Sequence, residues 1–515
     1  MAHRRERNQP VRQDQLQLQL WGLRPPAPTH RSRQREGAAV RYAVAGALAL
    51  LASPATAEPL ARITVTDGGI PHVRAATSYG MGYGSGYATA LTDACGAAEA
   101  FLTYGGRRSS VLGADGETAL HIPVPSSVPN SLNDFNIAFS IGPAELARAR
   151  KGLSADLRQV IDGYVAGYNR RLAEAPPASC RDSAVAITVD DVLRRSLAYG
   201  MTLGTRFFLR QLHAAAPPGP GEVAAAEPAL APQPLPSVGS NGLAFGREVT
   251  AGGGLLLANP HYVWRGPERF IQMHLSGPGY DVIGAMMLGS PLVSIGANPS
   301  LGWTYTVAAG AKGLLYRLSL DPKDPTRYLV DGVSKPMQRQ IVTIDARGAD
   351  GKAGRLSHAF WTSEFGPIVE GPGLPWSRRE AFALFDPNVA NAGSLQLSLD
   401  SGRARSVREL QALLAGMGLP FLNAIAADAG GEVLYANNSP TPAIGSNSFG
   451  VCLVTGIPAN AYPLTVVIDG AKSVCRPQAV AEAAWPGILP AKAMPAMVRR
   501  DYVANSNDSH WLANP

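Results

Sequence analysis

Residues 214–238 are built almost entirely from Ala, Pro, Gly, Glu and Leu, with seven prolines between Pro217 and Pro236. Such a stretch has no apolar periodicity, and its prolines remove backbone donors, so it cannot become a packed element. It splits the chain into two parts with different patterns. Before it, 143–175 and 189–213 place apolar residues at helical spacing, as in Leu157, Val160, Ile161, Tyr164 and Val165. After it, short apolar runs at 242–246, 255–258, 281–288, 292–296 and 302–308 alternate with Gly, Pro and Asn, which predicts strands. Runs at 421–428 and 432–436 flank Ala429-Gly430-Gly431, a hairpin signal. The expected organisation is a leader at 1–57, a mostly helical segment at 58–213, a spacer at 214–239 and a strand-rich segment at 240–515.

Charge sits unevenly on this plan. The chain carries +7, but residues 1–57 hold nine Arg against three acids, which leaves 37 basic and 36 acidic residues in the remainder. The body therefore has no electrostatic footprint for nucleic acid. In the leader, Arg41 precedes an apolar run from Ala43 to Ala52 and then Ala55-Thr56-Ala57. That order predicts a signal peptide and export to the periplasm or beyond; the run is too short to span a bilayer. The four cysteines, Cys95, Cys180, Cys452 and Cys475, fit no metal or redox spacing. An even count in an exported chain suggests two disulfides, with three connectivities open and free buried thiols as the alternative. Cys95–Cys180 with Cys452–Cys475 is preferred, because each pair then lies within one segment.

No G-x-S-x-G, H-E-x-x-H or phosphate-binding loop is present. Residues 80–86, Gly-Met-Gly-Tyr-Gly-Ser-Gly, do not fit a dinucleotide fingerprint and read instead as a helix packed closely through its glycines, with helical character through 88–104. The chemistry centres on the end of the spacer. Gly239-Ser240 stands where a flexible linker meets the first strand, and a glycine there supplies the backbone freedom that an N-to-O acyl shift needs. Cleavage at that bond gives Ser240 a free α-amine with an ordinary pKa of about 7.7–8.0, able to act as base for its own hydroxyl. Such a nucleophile needs no separate His-Asp pair.

Several motifs in order carry a resemblance. Gly239-Ser240-Asn241, Leu256-Leu-Ala-Asn-Pro-His261-Tyr262-Val-Trp, Met273-His-Leu, Ile295-Gly-Ala-Asn, Trp303-Thr-Tyr-Thr-Val307 and the closing Asn505-Ser-Asn-Asp-Ser-His-Trp-Leu resemble the penicillin acylase family of N-terminal-nucleophile hydrolases. The first segment agrees through Gly69-Ile-Pro-His-Val, Gly84-Ser-Gly-Tyr-Ala, Asp93-Ala-Cys95 and Gly105-Gly-Arg-Arg-Ser109. Within the family, the forms are most similar to acyl-homoserine-lactone acylases and aculeacin-type deacylases. The resemblance implies an α+β fold, the four-layer αββα sandwich, and an α and a β chain from one precursor that stay together as a heterodimer. It also implies cleavage between Gly239 and Ser240, with Ser240 as nucleophile and an oxyanion hole from the Val307 backbone N–H and the Asn423 side-chain amide. His261 is implied to position the nucleophile, and Tyr262 to line the acyl pocket. No cofactor is implied. Some members bind calcium just after the oxyanion strand, but 308–315 contains no carboxylate here, so no metal is expected.

The expected substrate is a small acylated amide, an acyl-homoserine lactone or a lipopeptide, with a β-lactam acylase as the alternative. Relatives in this family continue past the Asn-Asp-Ser-x-Trp-Leu-x-Asn-Pro motif with which this chain stops, so the β segment is expected to be incomplete. A truncated fragment that neither cleaves itself nor acts on amides is the competing reading of another class.

Overall fold

The computed structural model describes residues 16–20, 59–122, 125–219, 239–455 and 465–514. The apolar leader run, the Ala55-Thr56-Ala57 signal and most of the spacer lie outside the described residues.

Two long helices, Ser78–Gly105 and Ala155–Glu174, form the core of the first segment. Each starts on a side-chain cap: Thr77 Oγ1 accepts from Gly80 N at 2.9 Å, and Ser154 Oγ from Leu157 N at 3.2 Å. Their glycines face one another. A Cβ on Gly82 or Gly86 would stand 2.0 Å from the carbonyl oxygens of Val160 and Tyr164. One on Gly163 or Gly167 would meet those of Tyr79 and Tyr83 at 2.0 and 1.9 Å. The close helix approach expected from residues 80–86 is thus reciprocal, backbone against backbone. A methyl group at Gly167 must push the helices apart and loosen Phe101, Tyr164 and Tyr168, all buried between them. Gly167→Ala should therefore cost about 3 kcal/mol in urea unfolding, whereas Gly252→Ala, with nothing within 4 Å of the added Cβ, should stay within about 0.5 kcal/mol.

The first helix is broken at Asp93, whose φ of −157° is not helical. Its Oδ1 caps Gly96 N at 2.9 Å, and its carboxylate pairs with Arg269 of the second segment. The first segment is not purely helical. Its strands Ala61–Val65 and Pro71–Arg74 enter the large sheet, the latter pairing in parallel with Phe270–Gly277. That sheet continues through Tyr280–Met287, Ile295–Ala297, Leu301–Val307, Leu422–Asp428, Val433–Ala436 and Ala496–Arg499. The strand positions follow the apolar runs in the sequence. The Ala429–Gly431 hairpin closes with Gly431 at φ +78°, a left-handed position that suits glycine.

A second, three-stranded sheet places Gly239–Phe245 between Leu255–His261 and Tyr502–Asn505. It packs face to face on the large sheet through Ala244, Ile425, Ala427, Tyr435 and Val503. Helices cover the opposite face of the large sheet, where Phe101, Tyr164, Met273, Val282 and Leu410 share one core. The result is α+β: a helical layer on a large sheet on a small sheet.

A further sheet was not assigned from the sequence. Strands Gly313–Asp321, Asp324–Val330, Val333–Pro336, Gln338–Arg347, Ala353–Ser363, Gly366–Val369 and Glu380–Phe385 form it, and Thr465–Asp469 adds in parallel to Gly313–Asp321. Disulfides join Cys95 to Cys180 and Cys452 to Cys475. The second lies in the core of this sheet beside Tyr316 and Ile468.

His213, in the last turn of Leu209–Ala214, stacks on His358 of this sheet with ring centroids 3.8 Å apart and planes 14° from parallel. Phe135 closes over both rings. Burial holds His213 down at about 4 and also lowers His358. A depressed histidine favours the neutral form, so its contribution is intact above the unfolded value near 6.5 and is lost as pH falls through the folded value. Unfolding free energy should therefore fall between pH 6.5 and 4. His213→Phe should flatten that slope in denaturant titrations, and an unchanged slope would remove the pair as its origin.

Candidate active site

Ser240 is the second residue of Gly239–Phe245 and is 6% exposed. Its hydroxyl donates to the Gly239 carbonyl oxygen at 2.5 Å, so this hydroxyl lies against the Gly239-Ser240 peptide bond. Its backbone N–H donates to Asn507 Oδ1 at 2.7 Å. Both sides of the Gly239-Ser240 peptide are thereby held.

Gly239 is required here for a different reason from the one expected. Its φ is not in the left-handed region. What matters is room: an added Cβ would stand 2.8 Å from Asn507 Oδ1 and 3.8 Å from His261 Nδ1. His261 lies opposite Gly239 in the strand register. It is exposed and makes no hydrogen bond to Ser240. Its Nε2 accepts from Asn259 Nδ2 at 3.0 Å and Asn241 Nδ2 at 3.3 Å, which leaves the proton of the neutral ring on Nδ1, the nitrogen nearer Gly239.

Val307 and Asn423 are neighbours across the large sheet, where Thr306 pairs with Asn423 and Val307 with Leu422. Asn423 is fully buried. Its Oδ1 accepts from Tyr435 Oη at 3.0 Å, and burial pushes that phenol up to about 12, so it stays a donor. The amide orientation follows from the Val307 carbonyl on the other end, which can only accept. Asn423 Nδ2 then faces Thr306 Oγ1 at 3.1 Å, Asn505 Oδ1 at 3.2 Å and the Val307 carbonyl at 3.4 Å. Asn505 Oδ1 also accepts from Thr306 Oγ1 at 2.6 Å and from Asn507 N at 3.0 Å. Asn507 Nδ2 donates to the Val307 carbonyl at 2.9 Å. An asparagine triad, 423, 505 and 507, therefore ties Ser240 to Val307.

Asn505 and Asn507 were not singled out from the sequence, although their Asn-Ser-Asn-Asp motif was. Asn507 has φ +71°, a conformation that asparagine tolerates better than most residues. An Asn-x-Asn pair at a strand end is the local signal that could have marked them.

Beside Ser240 opens a cavity of about 100 Å³, walled by Phe270, Met287, Leu395, Leu397, Leu419 and Leu422, with Val307 also on its surface. Tyr262 lines it, its ring 4.8 Å from that of Phe270. Burial drives the Tyr262 phenol well above its ordinary value and raises that of its partner Tyr199, so both stay neutral. The structure thus brings Ser240, Val307 and Tyr262 to one apolar pocket. Asn423 stands just behind it and His261 on the outer side of the scissile peptide. Past Val307, Lys312 is buried with its Nζ on Asn437 Oδ1 and Thr441 Oγ1 at 3.3 and 3.2 Å, and desolvation lowers it to about 8.

A serine at the start of a strand, held at its own amide beside an apolar pocket within two stacked sheets, is the arrangement of an N-terminal-nucleophile hydrolase. The family model of penicillin amidase matches residues 60–514, and the chain belongs to that family. It is 38% identical over 490 residues to the acyl-homoserine lactone acylase PvdQ of Pseudomonas putida, an alignment covering 92% of this chain and 62% of that protein. It is 35% identical over 512 residues to the aculeacin-A acylase of Actinoplanes utahensis, covering 93% and 63%. A thermostable penicillin G acylase from Alcaligenes faecalis aligns over 52% of this chain and 44% of its own, with 21% identity and a TM-score of 0.42. The chain thus spans a little under two thirds of the length of the two curated relatives.

Proposed function

We propose that this chain is a self-processing hydrolase of N-acyl amides, acting on acyl-homoserine lactones or lipopeptides through an acyl-enzyme on Ser240. The observation that carries the proposal is the Ser240 hydroxyl at 2.5 Å from the Gly239 carbonyl, at the mouth of an apolar pocket.

In the first step Ser240 Oγ attacks the Gly239 carbonyl carbon and its proton passes to the departing Ser240 nitrogen. The peptide becomes an ester, and water hydrolyses it to leave Gly239 as a carboxylate and Ser240 with a free amine. Asn507 Oδ1 holds the scissile N–H during this step. In the mature enzyme that amine takes the Ser240 proton as the hydroxyl attacks the substrate amide. The Val307 N–H and the Asn423 amide, the latter turning from its contacts with Thr306, Asn505 and the Val307 carbonyl, stabilise the resulting oxyanion, each such donor being worth roughly 2.7–4 kcal/mol in the transition state. The amine leaves with the proton, and water resolves the ester to the free acid.

Cleavage is expected to leave an α and a β chain bound to each other. Buried polar contacts support this: Tyr104 Oη donates to Glu268 Oε1 at 2.7 Å, Arg195 Nε to the Leu288 carbonyl at 2.6 Å, and Thr205 N and Oγ1 to Asp386 at 2.8 and 2.9 Å. Export to the periplasm or beyond is the reading that the leader and two disulfides support. Among the described residues no helix is long and apolar enough to cross a membrane.

Two measurements test the proposal. Intact mass of the purified protein should show two chains, the second starting at Ser240. Hydrolysis of long-chain acyl-homoserine lactones, an acylated lipopeptide and phenylacetyl amides should favour the first two by tenfold or more. A preference for phenylacetyl amides would move the assignment to the β-lactam acylases, and an uncleaved, inactive chain would remove the activity.

A further inference from the structure

The Ser240 pocket is not apolar throughout. Arg195, on the helix Val189–Gly200, lines it and is 3% exposed. Its Nε is spent on the Leu288 carbonyl, while its Nη2 is buried with no hydrogen-bond partner. The guanidinium lies 5.1 Å from the Tyr104 ring centroid and 5.9 Å from that of Tyr199. Arg206 sits on Tyr104 at 4.5 Å and also has a buried nitrogen, Nη1, without a partner. The carboxylate of this cluster is Glu268, fully buried, with Oε1 accepting from Tyr104. Glu268 Oε2 is also buried without a hydrogen-bond partner, so the cluster behind the pocket wall holds two unsatisfied guanidinium donors and one unsatisfied carboxylate oxygen.

A buried donor of this kind costs free energy unless something accepts from it. Three of the pocket's serine hydroxyls do not supply a donor toward a ligand. Ser290, Ser394 and Ser398 each commit their hydroxyl proton to a backbone carbonyl. Arg195 Nη2 is thus a charged donor on the pocket wall without a partner, placed to meet an oxygen brought in by a ligand.

We propose that Arg195 recognises an acceptor oxygen carried on the substrate's acyl chain, so that the pocket selects hydroxyl-, oxo- or carboxyl-bearing acyl groups over plain alkyl ones. This rests on the Ser240 pocket being the acyl site. Recognition adds a charge-assisted hydrogen bond, a stronger class than a neutral one, and leaves the apolar walls to hold the rest of the chain.

Calorimetric titration of the full chain as purified with octanoate, 3-hydroxyoctanoate and octanedioate tests this. At least one oxygen-bearing acid should bind tenfold or more tightly than octanoate, and which one does so identifies the class of oxygen. Arg195→Met should abolish that advantage while still binding octanoate, and Arg195→Lys should keep part of it. Equal binding of all three acids, binding of none, or an advantage that survives Arg195→Met would each overturn the proposal. Should Arg195→Met fail to fold, the wild-type comparison and Arg195→Lys still decide. A parallel assay with the matching N-acyl homoserine lactones separates the two claims. An oxygen preference in binding without amide hydrolysis would reject the acylase reading alone, and hydrolysis without that preference would reject only the role of Arg195.

Discussion

Ser240→Ala will emerge from expression as one uncleaved chain with no amidase activity, where the wild type gives two. In the proposed mechanism the hydroxyl that lies 2.5 Å from the Gly239 carbonyl oxygen attacks in both reactions, so its loss should remove processing and turnover together. Uncleaved protein also lacks the free amine that serves as base. The expected fall in activity is at least about a thousandfold, to the background of the assay. Intact mass and N-terminal sequencing decide the outcome. Cleavage of the Ala variant at the same bond would show that a different group attacks, and would take Ser240 out of the mechanism.

Asn423→Leu should lower kcat by about a hundred- to a thousandfold, the range for loss of one oxyanion-hole donor. The count must be made per mature site, by titrating free Ser240 amine, so that a change in processing is not read as a change in turnover. The substitution keeps side-chain size but leaves Tyr435 Oη without its acceptor and Asn505 Oδ1 with one donor fewer. A stability loss of about 1–3 kcal/mol should accompany it. A full rate per mature site would mean that Asn423 only braces the sheet. Asn507 provides the complementary control. Asn507→Asp keeps an oxygen for the Ser240 N–H but loses the donor to the Val307 carbonyl, so processing should survive it better than Asn507→Ala.

Much of the site was legible before any coordinates because it is written in local terms. A Pro-rich spacer cannot pack, and a strand has to begin after it, but it was the motifs resembling the penicillin acylase family that marked Gly239-Ser240. The glycines of residues 80–86 announced a close helix approach, while Gly163 and Gly167, which supply its other half, were shown by the structure. Other parts were not legible. Strands Gln338–Arg347 and Ala353–Ser363 went unassigned: the first alternates only from Val342 onward, after four exposed residues, and the second opens on five exposed residues with no alternation. The reason for Gly239 was also misjudged. Strain can be argued from a residue type, but the 2.8 Å approach of Asn507 depends on a segment 268 residues away in the chain.

What the sequence by itself determined was the helical spacing before the spacer and the run of strands after it that carries Val307 and Asn423. Each of these rests on neighbours within a few residues, where periodicity, turn chemistry and proline content act directly. What only the tertiary structure decided was which groups Ser240 meets. Asn507 reaches its amide across 267 positions, Tyr435 donates to Asn423 across a strand pair, and Arg195 arrives in the pocket from the first segment. These contacts exist because two sheets and a helical layer close over one another. Their energy lies in burial and hydrogen-bond satisfaction between distant parts of the chain, which no local pattern encodes.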